Sequence, residues 1–240
     1  MISPLQVLSR NIRAPFHRWQ AFRLLRELHA ARPSLQELVR RGQKLGSNGW
    51  YRVRTLQIPS EITALAREVE KLKPRIVVEI GTARGGTALI WAYLAKERLI
   101  TCDILDKRGF ADLLRAFPPP DSACKVSVMI GDSHDAAFAE RLRAELAGEK
   151  ADFLFIDGDH TEAGVTRDFE MYREFVRPGG LIGFHDIAEK QPLPTNQVQH
   201  FWKKIRDKYE TTEFIQNRDQ TGFGIGVVRV PAEGFPPATS

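Results

Sequence analysis

The sequence predicts an α/β fold in which a mostly parallel sheet is covered by helices on both faces. From about residue 58 onward, short apolar runs with strand character alternate with patterns of the helical period. Several of these runs end in Gly or Asp, as strands do when both faces are buried and the carboxyl end meets a ligand. The last two β-like runs follow each other without a helix between them, so one of the two must run antiparallel.

The predicted helices and strands follow from the spacing of apolar residues and from the prolines and glycines that interrupt it. The predicted strands are seven runs, at 75–80, 99–103, 125–130, 152–156, 181–185, 211–216 and 223–230. A helix capped by Ser60 and stopped by Pro74 precedes the first strand. The other predicted helices of this part span 85–97, 106–117, 135–147, 161–176 and 197–209.

The chain divides into a basic helical extension, residues 1–55, and a main domain, residues 56–240. The extension holds 11 Lys and Arg against Glu27 and Glu37, whereas the main domain carries a net charge of −4. This distribution argues against a main domain that binds nucleic acid across its own surface.

Two helical patterns fill the extension. One is a stripe formed by Trp19, Phe22, Leu25 and Leu28, and the other runs from residue 35 to 44 and ends in the turn 46–49. We favour helices packed on the core with solvated arginines. The alternatives are a contact in a homo-oligomer, a lid over the substrate, and attachment to an anionic membrane surface.

The sequence also indicates the cellular compartment of the protein. No apolar run approaches the ~20 residues that a transmembrane helix needs, and Arg10, Arg13 and Pro15 interrupt any signal-peptide core near the N-terminus. The two cysteines, Cys102 and Cys124, do not imply a disulfide framework, so we expect a cytoplasmic protein.

The most informative segment joins the first predicted strand to the helix after it. The apolar strand ends in Glu79 and Gly81, and Gly85 and Gly86 open the helix. Glycines allow a sharp turn here and let a bulky ligand lie against bare backbone at a helix N-terminus. The spacing departs from G-x-G-x-x-G, so the dinucleotide fingerprint is not met and a nicotinamide dehydrogenase is disfavoured.

The next two strand ends add polar groups. Asp103 ends the second strand, where an acidic residue would bind a ribose diol. Gly131, Asp132 and Ser133 end the third strand, where the base of a cofactor would receive hydrogen bonds. The alternative for Asp132 is that it caps the following helix.

Five ionisable side chains follow the fourth and fifth strands: Asp157, Asp159, His160, His185 and Asp186. So many carboxylates would not converge without strongly raised pKa values unless a cation neutralised them, which indicates a divalent metal. The alternatives are that either of the first two aspartates caps the next helix, that the first histidine is an exposed loop residue, and that the second is a core histidine.

As a set, these motifs resemble the class I S-adenosylmethionine-dependent methyltransferases. The resemblance spans roughly residues 56–230. The sequence is similar in particular to the small-molecule O-methyltransferases, which are grouped with macrocin and sugar O-methyltransferases and with cephalosporin-hydroxylase-like proteins. The motifs that carry it are Gln57–Glu61, Glu79–Thr82 with Gly85 and Gly86, Asp103, Gly131–Asp132, Ile156–His160, Gly179–Gly180 with Phe184–Asp186, and Gly224–Val228.

The resemblance implies a Rossmann-like, doubly wound sheet of seven strands with an antiparallel last strand. It also implies site residues. The methionine end of the cofactor would contact Glu79, Gly81, Thr82 and Gly85, the ribose would contact Asp103, and the adenine would lie near Asp132 and Ser133. In metal-dependent relatives, the positions matching Asp157, His185 and Asp186 bind Mg²⁺, and His160 would be the general base. His185 stands where some of those relatives have a carboxylate.

The predicted function is methyl transfer from S-adenosylmethionine to a hydroxyl of a small molecule, such as a sugar or a glycosylated metabolite. We expect Mg²⁺ or another divalent cation to assist. The alternatives are a metal-independent small-molecule methyltransferase and a cofactor-binding protein without catalysis that binds a partner. An RNA methyltransferase with a basic arm is disfavoured by the acidic main domain.

Overall fold

One mixed sheet organises the chain. The computed structural model describes residues 4–46, 51–105 and 110–235. Within these residues the strands are β1 (Ile76–Ile80), β2 (Arg98–Asp103), β3 (Lys125–Ile130), β4 (Ala151–Ile156), β5 (Val176–His185), β6 (Thr211–Phe214) and β7 (Ile225–Arg229). Their order is β3-β2-β1-β4-β5-β7-β6. The pairs among β1 to β5 are parallel, and β7 runs antiparallel to both of its neighbours. The predicted fold class, including the antiparallel last strand, is confirmed.

Helices cover both faces of this sheet. They are α1 (Pro4–Ala31), α2 (Leu35–Gln43), α3 (Pro59–Leu72), α4 (Gly86–Leu94), α5 (Phe110–Arg115), α6 (Ala136–Leu146), α7 (Glu162–Tyr172) and α8 (Val198–Ile205). Alternate strand residues point to opposite faces. Accordingly, one core cluster joins the sheet to α1 through α5 and a second joins it to α6, α7 and α8.

Several predicted boundaries differ from the structure, among them the end of α8, which lies at Ile205 and not at residue 209. Helix α3 begins at Pro59, because proline suits the first helical position, and Ser60 lies inside the first turn, where its hydroxyl bonds Gln216 instead of capping the helix. Helix α7 ends at Tyr172, and β5 begins at Val176, five residues before the predicted strand.

The N-terminal extension packs on the core through α2 and through only part of α1. Leu25 and Leu28 are buried in the cluster that contains Trp91, whereas Trp19 is 53% exposed. The predicted apolar stripe is therefore wrong at Trp19. Residues 47–49 of the predicted turn, and residues 106–109 of a predicted helix, lie outside the described residues.

None of the helices within the described residues is long and apolar enough to cross a lipid bilayer. Cys102 and Cys124 are both buried, unpaired thiols.

Candidate active site

Two cavities open at the carboxyl ends of the parallel strands. The first has a volume of about 490 Å³, and the tips of β1, β2, β3 and β4 line it, with Asp103, Asp132 and Ser133 in its wall. The second has a volume of about 530 Å³ and lies beside the tips of β1, β4 and β5. Both sizes are typical of small-molecule sites.

The two cavities share part of their wall. Gly81, Ala83, Asp157 and His160 line both of them. A group bound in the first cavity would therefore meet a group bound in the second at these residues.

Gly81 makes the turn at the end of β1 possible. Its φ of +98° lies in the left-handed region, and its N–H donates to the carbonyl oxygen of Cys102 at 2.9 Å. A Cβ at this position would lie 2.0 Å from the carbonyl oxygen of Asp157. Only glycine fits here, because β1 and β4 approach each other closely below the shared wall.

The other two glycines of the turn, Gly85 and Gly86, lie against neighbouring parts of the chain. A Cβ on Gly85 would lie 2.6 Å from the side chain of Leu114, and one on Gly86 would lie 2.3 Å from the backbone nitrogen of Thr55. The sequence predicted bare backbone for a ligand at both positions. In the structure the space that a Cβ would take is filled by α5 and by the segment that leads to Gln57, and contact of a ligand with the backbone of these glycines stays a prediction.

Glu79 lies beneath the site. It is fully buried, and one carboxylate oxygen accepts a hydrogen bond from the Thr101 hydroxyl at 2.6 Å. That hydroxyl is 2.5 Å from the hydroxyl of Thr82, which lines the second cavity. Burial raises the pKa of Glu79 to about 7. In this position Glu79 supports the turn through two threonines.

Asp103 holds the turn from the side of the first cavity. One carboxylate oxygen accepts the N–H of Ala83 at 2.7 Å, and the other accepts the N–H of Leu105 at 2.8 Å. Asp132 accepts the N–H of His134 at 2.9 Å, and Asp135 caps α6. The alternative role of Asp132 as that helix cap is therefore wrong.

Four of the five ionisable groups at the tips of β4 and β5 form one cluster. His185 Nδ1 lies 3.1 Å from an oxygen of Asp157 and 3.5 Å from one of Asp186. His160 Nδ1 lies 2.9 Å from the other oxygen of Asp186, and its Nε2 is 3.9 Å from Asp157. Asp159 instead accepts the N–H of Thr161 at 2.8 Å.

Thr161, and not an aspartate, caps α7 by accepting the N–H of Gly164 at 3.0 Å. The alternative in which Asp157 or Asp159 caps this helix is therefore wrong.

Two amides complete the cluster, and the sequence did not assign a role to either. Gln57 Nε2 donates to Asp157 at 2.6 Å, and Asn196 Nδ2 donates to Asp186 at 2.7 Å. Gln57 belongs to one of the motifs that carried the resemblance, and this was its only signal. Asn196 lies between β5 and α8, where no periodicity marks a functional residue.

The cluster balances its own charge. Burial lowers the pKa of His185, but the nearby carboxylates of Asp157 and Asp186 outweigh burial and raise the pKa to about 9. The hydrogen bond to Asp186 raises the pKa of His160 above its ordinary value. The buried imidazolium thus lies between two carboxylates.

This donor set does not fit a divalent cation. Within residues 4–46, 51–105 and 110–235, no three His, Cys, Asp or Glu side chains have the arrangement of a metal centre. The oxygens of Asp157 and Asp186 already face Gln57, Asn196 and the two imidazoles. The ring of His185 lies where a cation shared by both carboxylates would have to bind.

The second cavity also concentrates backbone strain. Three of its lining residues that are not glycine have a positive φ: Ala83 at 44°, Asp186 at 67° and Phe223 at 63°. Such conformations cost of the order of 1 kcal/mol or more each and persist where the surroundings fix them, often at functional sites.

Comparison with known families finds a match within the main domain. Residues 78–187, which run from within β1 to just beyond the end of β5, match the family model described as a methyltransferase domain. Among curated proteins, an uncharacterised protein of Acanthamoeba polyphaga mimivirus is 44% identical over 43 residues, which is 18% of this chain. The chain spans only 20% of that protein's length.

Solved structures share the fold. An O-methyltransferase from Bacillus cereus in complex with SAH matches 69% of this chain and 79% of its own, with a TM-score of 0.52 and 22% identity. The O-methyltransferase TomG from Streptomyces achromogenes, in complex with SAM, matches 73% and 81%, with a TM-score of 0.53 and 18% identity. The methyltransferase MycE, in complex with Mg and SAH, has a TM-score of 0.54 and 20% identity. That match covers 86% of this chain and 58% of MycE.

Proposed function

We propose that this chain, whose residues 78–187 match a methyltransferase domain, transfers a methyl group from S-adenosylmethionine to a hydroxyl group of a small molecule. The observation that carries this proposal is the shared wall of the two cavities. The methyl donor would occupy the first cavity, and the acceptor would occupy the second. Their reacting atoms would meet beside Asp157 and His160.

The first cavity suits the cofactor by its chemistry. The carboxylate of Asp103 offers acceptors for a ribose diol, and Asp132 and Ser133 offer polar groups near a base. Ile104 and Leu105 add an apolar wall. When bound, S-adenosylmethionine supplies an electrophilic methyl group on its sulfonium.

His160 is the proposed general base. Asp186 accepts the Nδ1–H of its ring, which leaves Nε2 to accept a proton. In the transfer, the acceptor oxygen forms a bond to the methyl carbon while the carbon–sulfur bond breaks, and the hydroxyl proton passes to Nε2. Asp157 and His185 hold the fixed charges around this position.

The second cavity suits a polyol that carries an apolar part. Gln191 and Asn196 give it amide groups, whereas Leu193 and Phe223 give it apolar surface. MycE, which shares the fold, has been crystallised with mycinamycin VI, a small-molecule ligand. We propose a sugar or a glycosylated metabolite as the acceptor.

The competing form of this mechanism assigns a divalent cation to Asp157, His185 and Asp186. The charge balance of the cluster favours the metal-independent form, in which His185 supplies the positive charge. Another competing function is cofactor binding without catalysis. It predicts binding of S-adenosylmethionine and no methylated product with any member of a broad panel of acceptors.

The first test is a calorimetric titration of the protein with S-adenosylmethionine. We expect micromolar affinity in the wild type and a loss of about tenfold or more in Asp103→Ala, since hydrogen bonds to a charged group contribute about 1.5–3 kcal/mol. Asp207→Ala is the matched control, because that side chain is 86% exposed and far from the strand tips in sequence. Absence of binding in the wild type would contradict the proposal. A mass spectrometric screen of glycosides for a gained methyl group then identifies the acceptor.

A further inference from the structure

Helix α1 has two apolar faces that point in opposite directions. Ala21, Leu25 and Leu28 are at most 3% exposed and pack into the core, whereas Phe16 is 58% and Trp19 is 53% exposed. At 3.6 residues per turn, Phe16 lies about half a turn and Trp19 about a third of a turn from Leu25. The fold of the main domain therefore cannot bury both faces.

The outward face belongs to a stretch of α1 that the core does not hold. Residues 13–20 include no buried residue, and Ala21 is the first buried residue in the part of α1 from residue 13 onward. In the sequence, apolar residues at the same spacing of three and four also occur upstream of Phe16, at Leu5, Leu8 and Ile12. An apolar stripe of this kind on a helix that leaves the core needs another surface to cover it.

The charge of this stretch is entirely positive. Residues 1–26 contain five arginines and no Asp or Glu, and the first acidic residue is Glu27. Among the described residues, the guanidinium of Arg23 lies 5.3 Å from the ring of Trp19, and that of Arg18 lies 4.7 Å from the ring of Phe22. Exposed aromatic rings with arginines around them are typical of helices that lie in the headgroup region of a membrane.

We propose that the outward face of α1, defined by Phe16 and Trp19 with Arg13, Arg18 and Arg23 around it, binds the surface of an anionic phospholipid membrane. Charge complementarity favours this occupant over a second copy of the chain. Arg18 pairs with Asp112 and Arg23 with Glu27, but residues 1–26 carry only positive charges. Two copies would therefore bring mainly arginines together, whereas anionic headgroups attract them.

The proposed surface is joined to α5 by an ion pair. Arg18 forms an ion pair with Asp112 of α5 at 3.3 Å. Leu105 contacts a small cavity together with Phe110 of the same helix, and it also lines the first cavity. Leu105 is 62% exposed, so a second apolar group stands near α5.

Vesicle sedimentation tests the proposal with the full-length chain. We expect binding to phosphatidylcholine vesicles that contain about 30 mol % phosphatidylglycerol and little binding to phosphatidylcholine alone. Binding should fall sharply at about 0.5 M salt, because the headgroup attraction is screened. The double variant Phe16→Ser/Trp19→Ser should lower the partition coefficient about tenfold or more, since both apolar anchors are lost.

The matched control is Lys150→Gln/Lys208→Gln, which removes two exposed positive charges from other parts of the surface and should bind vesicles as the wild type does. Circular dichroism checks that each variant keeps its fold. Equal binding of the wild type and the Phe16→Ser/Trp19→Ser variant would overturn the proposal. A dimer in ultracentrifugation that this variant abolishes would also overturn it, as would binding of RNA in preference to anionic vesicles.

Tryptophan fluorescence gives an independent measure. The chain has four tryptophans, of which Trp50 lies outside the described residues and is replaced by Phe in every protein of this experiment. Trp91 and Trp202 are buried, whereas Trp19 is half-exposed and should shift its emission to shorter wavelength on anionic vesicles. The variant Trp19→Phe keeps an aromatic ring and should lose the shift while it still sediments. A shift that persists in Trp19→Phe would contradict the assignment of the contact to α1.

Discussion

At the scale of single residues, the orientation of His160 decides the proposed chemistry. Its Nδ1 lies 2.9 Å from Asp186, whose own backbone is held at a positive φ of 67°. The ring is thereby fixed with Nε2 available to a hydroxyl in the second cavity. This fixed geometry is what a positioned base contributes over one in free solution.

Replacing His160 should remove the base and leave cofactor binding largely intact. We expect His160→Gln to lower kcat by about 10²–10⁴-fold, the range typical of general base catalysis. Initial rates with the identified acceptor measure it, and calorimetry with S-adenosylmethionine is the control. An unchanged kcat would remove His160 from the mechanism.

The rate should also depend on pH with a defined sign. Only the neutral ring accepts a proton, and the hydrogen bond to Asp186 raises the pKa of His160 above its ordinary value of 6.5. We therefore expect kcat/KM to rise with pH and to level off only above that value. A profile that falls as pH rises through neutrality would contradict this role.

Because of Glu79, the free energy of unfolding should also depend on pH. Its pKa is about 7 in the fold and near 4.5 in the unfolded chain. Between these values the unfolded chain releases the proton while the folded one keeps it, so the free energy of unfolding falls as pH rises. Glu79→Gln removes this term. Relative to the wild type, the variant should gain about 1–3 kcal/mol between about pH 5 and about pH 8.

Urea unfolding of both proteins at the two pH values measures the difference. Parallel pH curves for the wild type and Glu79→Gln would show that Glu79 is ionised throughout, contrary to what its burial implies.

Several residue roles could be predicted from the sequence because parallel strands bring their ends together. That rule placed Asp103, Asp157, His160 and His185 near one another. It could not supply Gln57 and Asn196, since both come from irregular segments whose path depends on tertiary packing. It also did not reveal the protein backbone beside Gly86, because a sequence does not show which distant segments approach a glycine.

At the scale of elements, the close approach between α4, α2 and the segment at residues 54–55 sets the position of Gln57. A Cβ on Gly86 would lie 2.3–2.5 Å from backbone atoms of Gly42, Arg54 and Thr55. Because rigid backbone surrounds this point, the elements would have to separate to admit a methyl group.

Gly86→Ala should therefore lower the free energy of unfolding by about 3 kcal/mol, the upper part of the range for overpacking. Gly148→Ala is the control. It has a φ of +82° and nothing within 4 Å of an added Cβ, so only backbone strain of about 1 kcal/mol applies. Urea denaturation compares the two, and equal losses would contradict the packing argument.

Element boundaries show where local patterns are insufficient. The sequence predicted that the strand after α7 starts at residue 181, because Pro178 and two glycines interrupt the apolar pattern. In the structure β5 starts at Val176, and the carboxylate of Asp152 bonds the guanidinium of Arg177 at 2.6 Å across the irregular start of the β4–β5 pair. A long-range ion pair of this kind has no counterpart in local periodicity.

At the scale of the whole molecule, the proposed mechanism predicts independence from divalent cations. The positive charge between Asp157 and Asp186 comes from His185, so dialysis against EDTA should leave the turnover unchanged. Initial rates before and after dialysis, and after added Mg²⁺, measure this. Activity lost with EDTA and restored by Mg²⁺ would support the competing metal-assisted form.

A variant at His185 should gain the metal binding that the wild type lacks in this mechanism. His185→Glu would place a third carboxylate where the imidazolium lies, and three carboxylates require a cation for neutralisation. We expect Mg²⁺ to bind to this variant and not to the wild type in calorimetric titrations. Binding of Mg²⁺ to the wild type would contradict the assignment.

The position of β7 has a consequence for how the protein matures. This strand inserts between β5 and β6, and Ile225 pairs with His185 at the very end of β5. Until residues 225–229 have been synthesised, β5 is an open edge and the backbone that carries His185 lacks its partner on that side. The nascent chain therefore acquires its reactive centre only when the sheet closes, so a ribosome-bound intermediate would have the cofactor crevice before it could carry out chemistry.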